Sequence, residues 1–176
     1  NFSDGAEIEN EAHYMLNYGK FSGERYFLVY PNNITPTIIL YWIYRIAAFL
    51  HISEVWMLHI FCFLVTTATI FLTYKTAGKL LTKQKQTIIL GLMILYIPFQ
   101  MYSLFYYSDT LMVIMVALII YVLIPSDGSF IFRTKHIVAV AILVAFAWNL
   151  RSNIIIILPA LIVYLLFFKW YKNLVL

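Results

Sequence analysis

The sequence predicts an all-α, polytopic membrane protein, and three observations support this prediction. Of the 176 residues, 63% are hydrophobic and 11% are charged, whereas a soluble domain carries about 25% charged residues. The apolar stretches, such as residues 154–168, are unbroken instead of alternating with polar residues as barrel strands do. The basic residues cluster at the ends of these stretches, which is typical of helical membrane proteins.

The first 33 residues are the polar region of the chain. They hold five of the eight acidic residues: Asp4, Glu7, Glu9, Glu11 and Glu24. Residues 4–18 are predicted to form a short amphipathic helix that Asp4 caps, with Glu7 three residues later and Gly19 as the stop. Such a helix would lie on the membrane surface.

Six apolar segments follow, at residues 34–50, 55–74, 87–105, 110–124, 136–150 and 154–168. We predict one membrane domain over residues 1–176, with an extracytoplasmic loop at 1–33 and about five transmembrane helices within 55–168. Segment 34–50 is predicted to be an interfacial or re-entrant helix, because Arg45 would be costly at the centre of the membrane. The polar start at Asn1 suggests a fragment of a longer chain.

Three basic clusters give the orientation. They are Lys75, Lys79, Lys83 and Lys85; then Arg133 and Lys135; then Lys169 and Lys172. The positive-inside rule places all three in the cytoplasm. The joints at residues 106–109 and 151–153, together with residues 1–33, are then expected on the extracytoplasmic face.

Two carboxylates on that face are candidate catalytic groups. Asp4 and Asp109 each precede an apolar helix, where an N-cap is also expected. The structural interpretation is the stronger one for Asp4 on local sequence alone and is evenly balanced for Asp109. The two roles are compatible, since a capping carboxylate beside the bilayer could accept a proton from an incoming hydroxyl.

Arg151 is the candidate phosphate-binding residue. It lies between two apolar segments and departs from the positive-inside pattern. It could extend to lipid phosphates, but an outward arginine beside carboxylates also suits a phosphate that is held while its bond breaks. We favour the functional interpretation.

Other chemistry has little support in the sequence. Glu7 and Glu11 could share a divalent cation with Asp109, which leaves Glu7 and Asp109 as metal candidates. The four histidines show no metal-ligand spacing. The basic residues do not form a nucleic-acid surface, and the single cysteine, Cys62, cannot form an internal disulfide.

Four short motifs resemble those of the GT-C membrane glycosyltransferases, the superfamily of the protein O-mannosyltransferases and aminoarabinose transferases. The motifs are Phe2-Ser3-Asp4-Gly5-Ala6-Glu7, Tyr30-Pro31-Asn32-Asn33-Ile34, Leu40-Tyr41-Trp42 and Tyr107-Ser108-Asp109-Thr110-Leu111. The chain has Asp-Gly where many relatives have paired acidic residues, so it stays open whether Glu7, Asp109 or no residue supplies a second carboxylate and any metal.

The resemblance implies a polyprenyl-phosphate sugar donor, used on the extracytoplasmic face with inversion at the anomeric carbon. Asp4 would be the general base, Arg151 would hold the leaving phosphate, and Asp109 would orient the acceptor or a cation. Further substrate contacts are expected from Tyr30, Asn32, Asn33 and Tyr107. A multi-pass transporter or a flippase component for lipid-linked glycans is the alternative, since charged residues near an outer vestibule also suit ion coupling.

Overall fold

The computed structural model describes residues 4–124, 134–160 and 162–163, and this part of the chain is helical with no strand. The predicted all-α class is therefore confirmed. The α-helices are α1 (Asp4–Tyr18), α2 (Arg25–Val29), α3 (Ile34–Leu50), α4 (Glu54–Leu80), α5 (Lys83–Leu95), α6 (Ile97–Gln100), α7 (Ser108–Leu123) and α8 (Thr134–Leu150). Short 3-10 turns lie at Pro31–Asn33, Met101–Ser103 and Ser152–Ile156.

Helices α4, α7 and α8 form the main bundle, in which α7 packs between the other two. The buried core of α7 and α8 consists of Leu111, Met115, Ile119, Val140, Val144, Ala147, Leu150 and Ile154. At one end, Lys79 of α4 donates to the carbonyls of Tyr121 (2.7 Å) and Ile124 (2.8 Å) at the end of α7. At the other end, Phe61 lies against Tyr106, with 6.1 Å between ring centres. Helices α4 and α7 therefore run in the same direction.

Helices α1 and α3 cover the end of the bundle where α4 and α7 begin. Ile8 and Ala12 of α1 are buried against α3 in a second core cluster. The residues of α4 that pack on this cluster are Met57, Leu58 and Phe61, all within its first two turns. The apolar face of α1 is thus buried against α3 and the start of α4. Our prediction from the sequence is that this helix lies on the membrane surface.

Two helical stretches are long and apolar enough to cross a membrane: Pro31–Leu50, with 20 residues, and Glu54–Leu80, with 27. Helices α7 and α8 have 16 and 17 residues, fewer than the about 20 that a perpendicular span needs. The described part of the chain therefore supports two or three spans, while five stays a prediction. The interfacial placement of residues 34–50 also stays a prediction, because this segment is a candidate span by length and composition.

The span predicted at residues 87–105 is interrupted by a sharp bend. Helix α5 ends at Leu95, and the chain bends by 66° before continuing through α6. Pro98 explains the break, because its ring would clash with the carbonyl of Ile94 in a continuing helix and it has no N–H to donate. Residue 96 lies outside both helices, with φ −76° and ψ 88°.

The predicted bounds of two other segments also change. Helix α4 continues to Leu80, so Lys75 and Lys79 belong to the helix and only residues 81–82 join it to α5. Segment 154–168 begins as a 3-10 turn. Residues 125–133, 161 and 164–176, with Arg133, Lys169 and Lys172, lie outside the described residues.

The orientation can be checked with two neutral, exposed positions. Asn17 on α1 and Gln84 on α5 are replaced one at a time by cysteine in a Cys62→Ala background. We expect a membrane-impermeant thiol reagent to label Asn17→Cys in intact cells, and to label Gln84→Cys only after the membrane is opened, because the lysine cluster favours the cytoplasm. Labelling of Gln84→Cys in intact cells would reverse the orientation.

Candidate functional site

Four parts of the chain meet at the covered end of the bundle. They are the start of α1 with Asp4, the segment from α2 to the following 3-10 turn, the joint before α7, and the turn after α8 with Arg151. Residues more than 100 positions apart, Asp4 and Tyr107, are joined by a hydrogen bond. The structure thus brings the sequence candidates from both ends of the chain together.

The Asp4 carboxylate accepts hydrogen bonds from two tyrosines. Tyr26 donates to Oδ1 at 2.9 Å, and Tyr107 donates to Oδ2 at 3.3 Å. The buried amide of Asn33 donates to the Tyr26 hydroxyl, and Asn32 donates to Asn33 at 3.0 Å. The carboxylate is therefore held at both oxygens, with the shorter bond to Tyr26.

The local sequence explains why Asn33 is in place. Pro31 starts the 3-10 turn, where its fixed φ and missing N–H are tolerated. The Thr37 hydroxyl then donates to the Asn33 carbonyl at 2.7 Å, which ties the turn to the first turn of α3. The segment between α2 and α3 is thus fixed by backbone and side-chain bonds.

Both tyrosines keep their protons at neutral pH. Burial raises the pKa of Tyr26 above its usual value near 10, and its hydrogen bond to Asp4 raises it further. Burial likewise raises the pKa of Tyr107, and the neighbouring Asp4 charge adds to the shift. Each phenol therefore acts as a hydrogen-bond donor to the Asp4 carboxylate, and the two bonds orient its lone pairs.

Asp109 and Arg151 form an ion pair beside this carboxylate. Arg151 also lies 3.4 Å from the Ser108 hydroxyl, and its guanidinium carbon is 5.8 Å from the ring centre of Tyr107, within cation–π range. Tyr107 therefore contacts both halves of the site, with its hydroxyl at Asp4 and its ring at Arg151.

The prediction that Asp109 caps α7 is wrong. The helix begins at Ser108, its N-cap residue is Tyr107, and no side chain caps it. Asp109 lies one residue inside the helix, where a negative charge is still favourable near the N-terminus. Its carboxylate is instead used by Arg151, which returns from α8.

A cavity of about 400 Å³ opens beside this ion pair. Its polar lining comes from Asp109, Arg151 and Asn153. The rest of the lining is apolar and consists of Met112, Val116, Ile154, Ile156, Ile157 and Ala160. Because residues 109, 112 and 116 follow one face of α7, the lining changes from charged to apolar along the helix.

The proposed metal site finds no support. Glu11 is buried, and its carboxylate accepts bonds from the backbone N–H (2.6 Å) and the hydroxyl of Ser22. Asp109 is paired with Arg151. Within residues 4–124, 134–160 and 162–163, no group of three or more His, Cys, Asp or Glu side chains could hold a metal ion. The donors expected for a divalent cation, Glu7 among them, therefore do not form a ligand set there.

Of the remaining predicted residues, Tyr30 lies at the edge of the site. It is exposed, and its ring centre is 5.1 Å from that of Tyr26. Sequence reasoning missed Tyr26 itself, which holds Asp4 across 22 residues of chain. Tyr26 belongs to no recognisable motif. The only signal in the sequence was its position in an aromatic stretch, four residues before Tyr30.

Comparison with known proteins gives one family. The family model described as dolichyl-phosphate-mannose-protein mannosyltransferase matches residues 35–176. The matched range contains Tyr107, Asp109 and Arg151, and it begins after Asp4, Tyr26 and Asn33. No curated protein and no solved structure matches the chain.

Proposed function

Because the chain belongs to the dolichyl-phosphate-mannose-protein mannosyltransferase family, we propose that it transfers a sugar from a polyprenyl-phosphate donor to an acceptor hydroxyl. The family match confirms the resemblance to GT-C enzymes, and the chain is a membrane glycosyltransferase of that kind. The reaction we propose takes place on the extracytoplasmic face, with inversion at the anomeric carbon and Asp4 as the base.

One observation carries the proposal: the cavity that changes from charged to apolar along α7. A polyprenyl phosphate has the same division, with an anionic phosphate joined to a long apolar chain. The phosphate is placed at Arg151, and the first isoprene units lie against Met112, Val116 and Ile157. An arginine suits this position because its planar group binds phosphate oxygens in pairs.

Asp4 supplies the proton acceptor in this scheme. The acceptor hydroxyl replaces Tyr107 at Oδ2, where the existing bond is the longer one. Its proton passes to Asp4 as its oxygen attacks the anomeric carbon. The bond from that carbon to the phosphate oxygen breaks, and the electron pair leaves with the polyprenyl phosphate. Tyr26 keeps the carboxylate oriented throughout.

Arg151 stabilises the charge that develops on the leaving phosphate, which is the role expected of a fixed cation beside a breaking bond. A guanidinium has five N–H donors, so Arg151 can bind a phosphate while it stays paired with Asp109. Asp109 is then a positioning residue for Arg151. This role replaces our prediction that Asp109 orients the acceptor or a cation.

The activity can be tested in membrane vesicles that contain the full-length protein. We measure the conversion of labelled dolichyl-phosphate mannose to dolichyl phosphate, since the endogenous membrane supplies acceptors and the assay needs no knowledge of them. Vesicles without the protein give the background. Counterflow of a labelled sugar in proteoliposomes, without donor turnover, would contradict the proposal and favour a transporter.

Narrowing the cavity should weaken donor binding. Val116→Trp fills part of the space beside the proposed lipid chain, and we expect the KM for the donor to rise about tenfold, because losing two buried methylene contacts costs about 1.6 kcal/mol. The matched control is Ile142→Trp, which adds the same side chain at an exposed position on α8. An unchanged donor KM in Val116→Trp would place the lipid elsewhere.

A further inference from the structure

A second cavity, of about 160 Å³, lies beneath α1. Gly5 and Glu9 of α1, Tyr44 of α3 and Leu58 of α4 contribute to its lining, and Tyr107 closes one side. It shares no lining residue with the cavity beside Arg151. Asp4 precedes Gly5 and accepts a hydrogen bond from Tyr107, so the proposed base lies next to two lining residues of this cavity.

The charges around this second cavity are mainly negative. Glu9 lines it directly, and the Tyr44 hydroxyl lies near the carboxylates of both Glu9 and Glu54. His13 stacks on Tyr44, with 4.8 Å between ring centres, and its Nε2 lies 3.7 Å from Glu54 and 4.0 Å from Glu9. One imidazole carries at most one positive charge, so His13 balances at most one of these two carboxylates.

The two cavities thus differ in charge. Arg151 lines the first cavity and is separated from the second by the Tyr107 ring, 5.8 Å from its guanidinium carbon. The second cavity is lined by Glu9 and by Tyr44, Tyr106 and Tyr107, and Tyr107 donates to Asp4. The first cavity holds the Arg151–Asp109 pair, whose charges balance, whereas Glu9 lines the second with no Lys or Arg among the described residues that line it. An anion is therefore repelled more from the Glu9 side, because like charges at short range cost energy even with partial solvent screening.

We propose that the cavity between Glu9, Tyr44 and Tyr107 is the acceptor subsite, and that Glu9 makes it select neutral or cationic hydroxyl-bearing groups over anionic ones. The proposal rests on the proposed function. The size of this cavity fits a single ring or a short side chain, since a cavity of about 150 Å³ holds a benzene-sized molecule. Carboxylate and phenol oxygens supply the bonds that orient a hydroxyl toward Asp4.

The charge preference can be measured without knowing the acceptor. Gly5→Cys is a suitable sensor, because a Cβ at Gly5 meets no atom within 4 Å and the residue lines the cavity. In a Cys62→Ala background, its reaction rates with cationic trimethylammonium-ethyl and anionic sulfonatoethyl methanethiosulfonate are compared in membrane vesicles. Asn17→Cys, exposed on the same helix, gives the reference ratio.

We expect the cation-to-anion rate ratio at Gly5→Cys to exceed that at Asn17→Cys about tenfold, because a cleft lined by one sign of charge concentrates the opposite ion. Adding Glu9→Gln should lower the ratio about threefold, since the Glu9 side chain is partly exposed and partly screened. Adding Glu24→Gln, which neutralises an exposed glutamate outside the cavity, should leave the ratio unchanged.

Three results would overturn the proposal: a ratio equal to or below the reference, a raised ratio that survives Glu9→Gln, or no reaction with either reagent. These outcomes are separate from the proposed function, because thiol labelling requires no turnover. Donor turnover with no charge preference would refute only the acceptor subsite. A charge preference without any donor turnover would refute the glycosyltransfer scheme and with it the acceptor role of the cavity, while the charge selectivity set by Glu9 would stand.

Discussion

Asp4→Asn is expected to lower sugar transfer by a factor of about 10² to 10⁴, the usual contribution of a positioned general base. The amide has nearly the shape of the carboxylate, and its oxygen can still accept the bond from Tyr26 that Asp4 accepts now at 2.9 Å. It cannot take a proton from an acceptor. The measurement is the rate of donor conversion in vesicles with matched protein levels.

Two controls make this result specific. Glu24→Gln removes a carboxylate from the same polar region at an exposed position, and it should keep wild-type turnover. The Asn17→Cys label reports that Asp4→Asn is inserted with the same orientation as the parent. Full turnover in a correctly inserted Asp4→Asn protein would exclude Asp4 as the base.

Arg151→Ala is expected to reduce turnover by about 10² to 10³, the loss typical of removing one fixed group that stabilises developing negative charge. Arg151→Lys should recover part of this loss, because a lysine keeps the charge and loses the paired geometry. Arg45→Ala is the matched control: this guanidinium is exposed on α3, bonded to Tyr41 at 2.6 Å, and outside both cavities. Equal losses at Arg45 and Arg151 would indicate a general effect of positive charge.

A double variant, Asp109→Asn with Arg151→Ala, decides how Asp109 acts. If Asp109 only positions Arg151, the double variant should be no slower than Arg151→Ala alone, because the effects of substitutions that act through one contact do not add. A further loss in the double variant would give Asp109 a separate role on the substrate. The test uses the same donor-conversion assay.

The sequence was sufficient to predict the helical class and the amphipathic helix at residues 4–18, which is α1. Counting basic clusters placed Asp4, Asp109 and Arg151 on one face, and the structure does bring these three residues to one end of the bundle. These predictions succeed because they depend on averages over many residues.

The details that failed depend on single contacts between distant residues. The partner of Asp109 comes from after α8, so its local sequence could not distinguish a helix cap from a functional carboxylate. The shorter hydrogen bond to Asp4 comes from Tyr26, which follows a loop that two hydrogen bonds between Ser22 and Glu11 hold in place. The break beside Pro98 was missed because the apolar run continues on both sides of the proline.

The parallel arrangement of α4 and α7 has a consequence for insertions and deletions in this chain. Contacts anchor α7 at both of its ends, through Lys79 at the last turn and through Asp109 at the first. One extra residue in the middle of α7 would rotate one end relative to the other by about 100°. Either Asp109 would then turn away from Arg151, or Lys79 would lose its hydrogen bonds to the carbonyls at the end of α7. The length of this helix is therefore expected to be constrained more tightly than its lipid-facing composition.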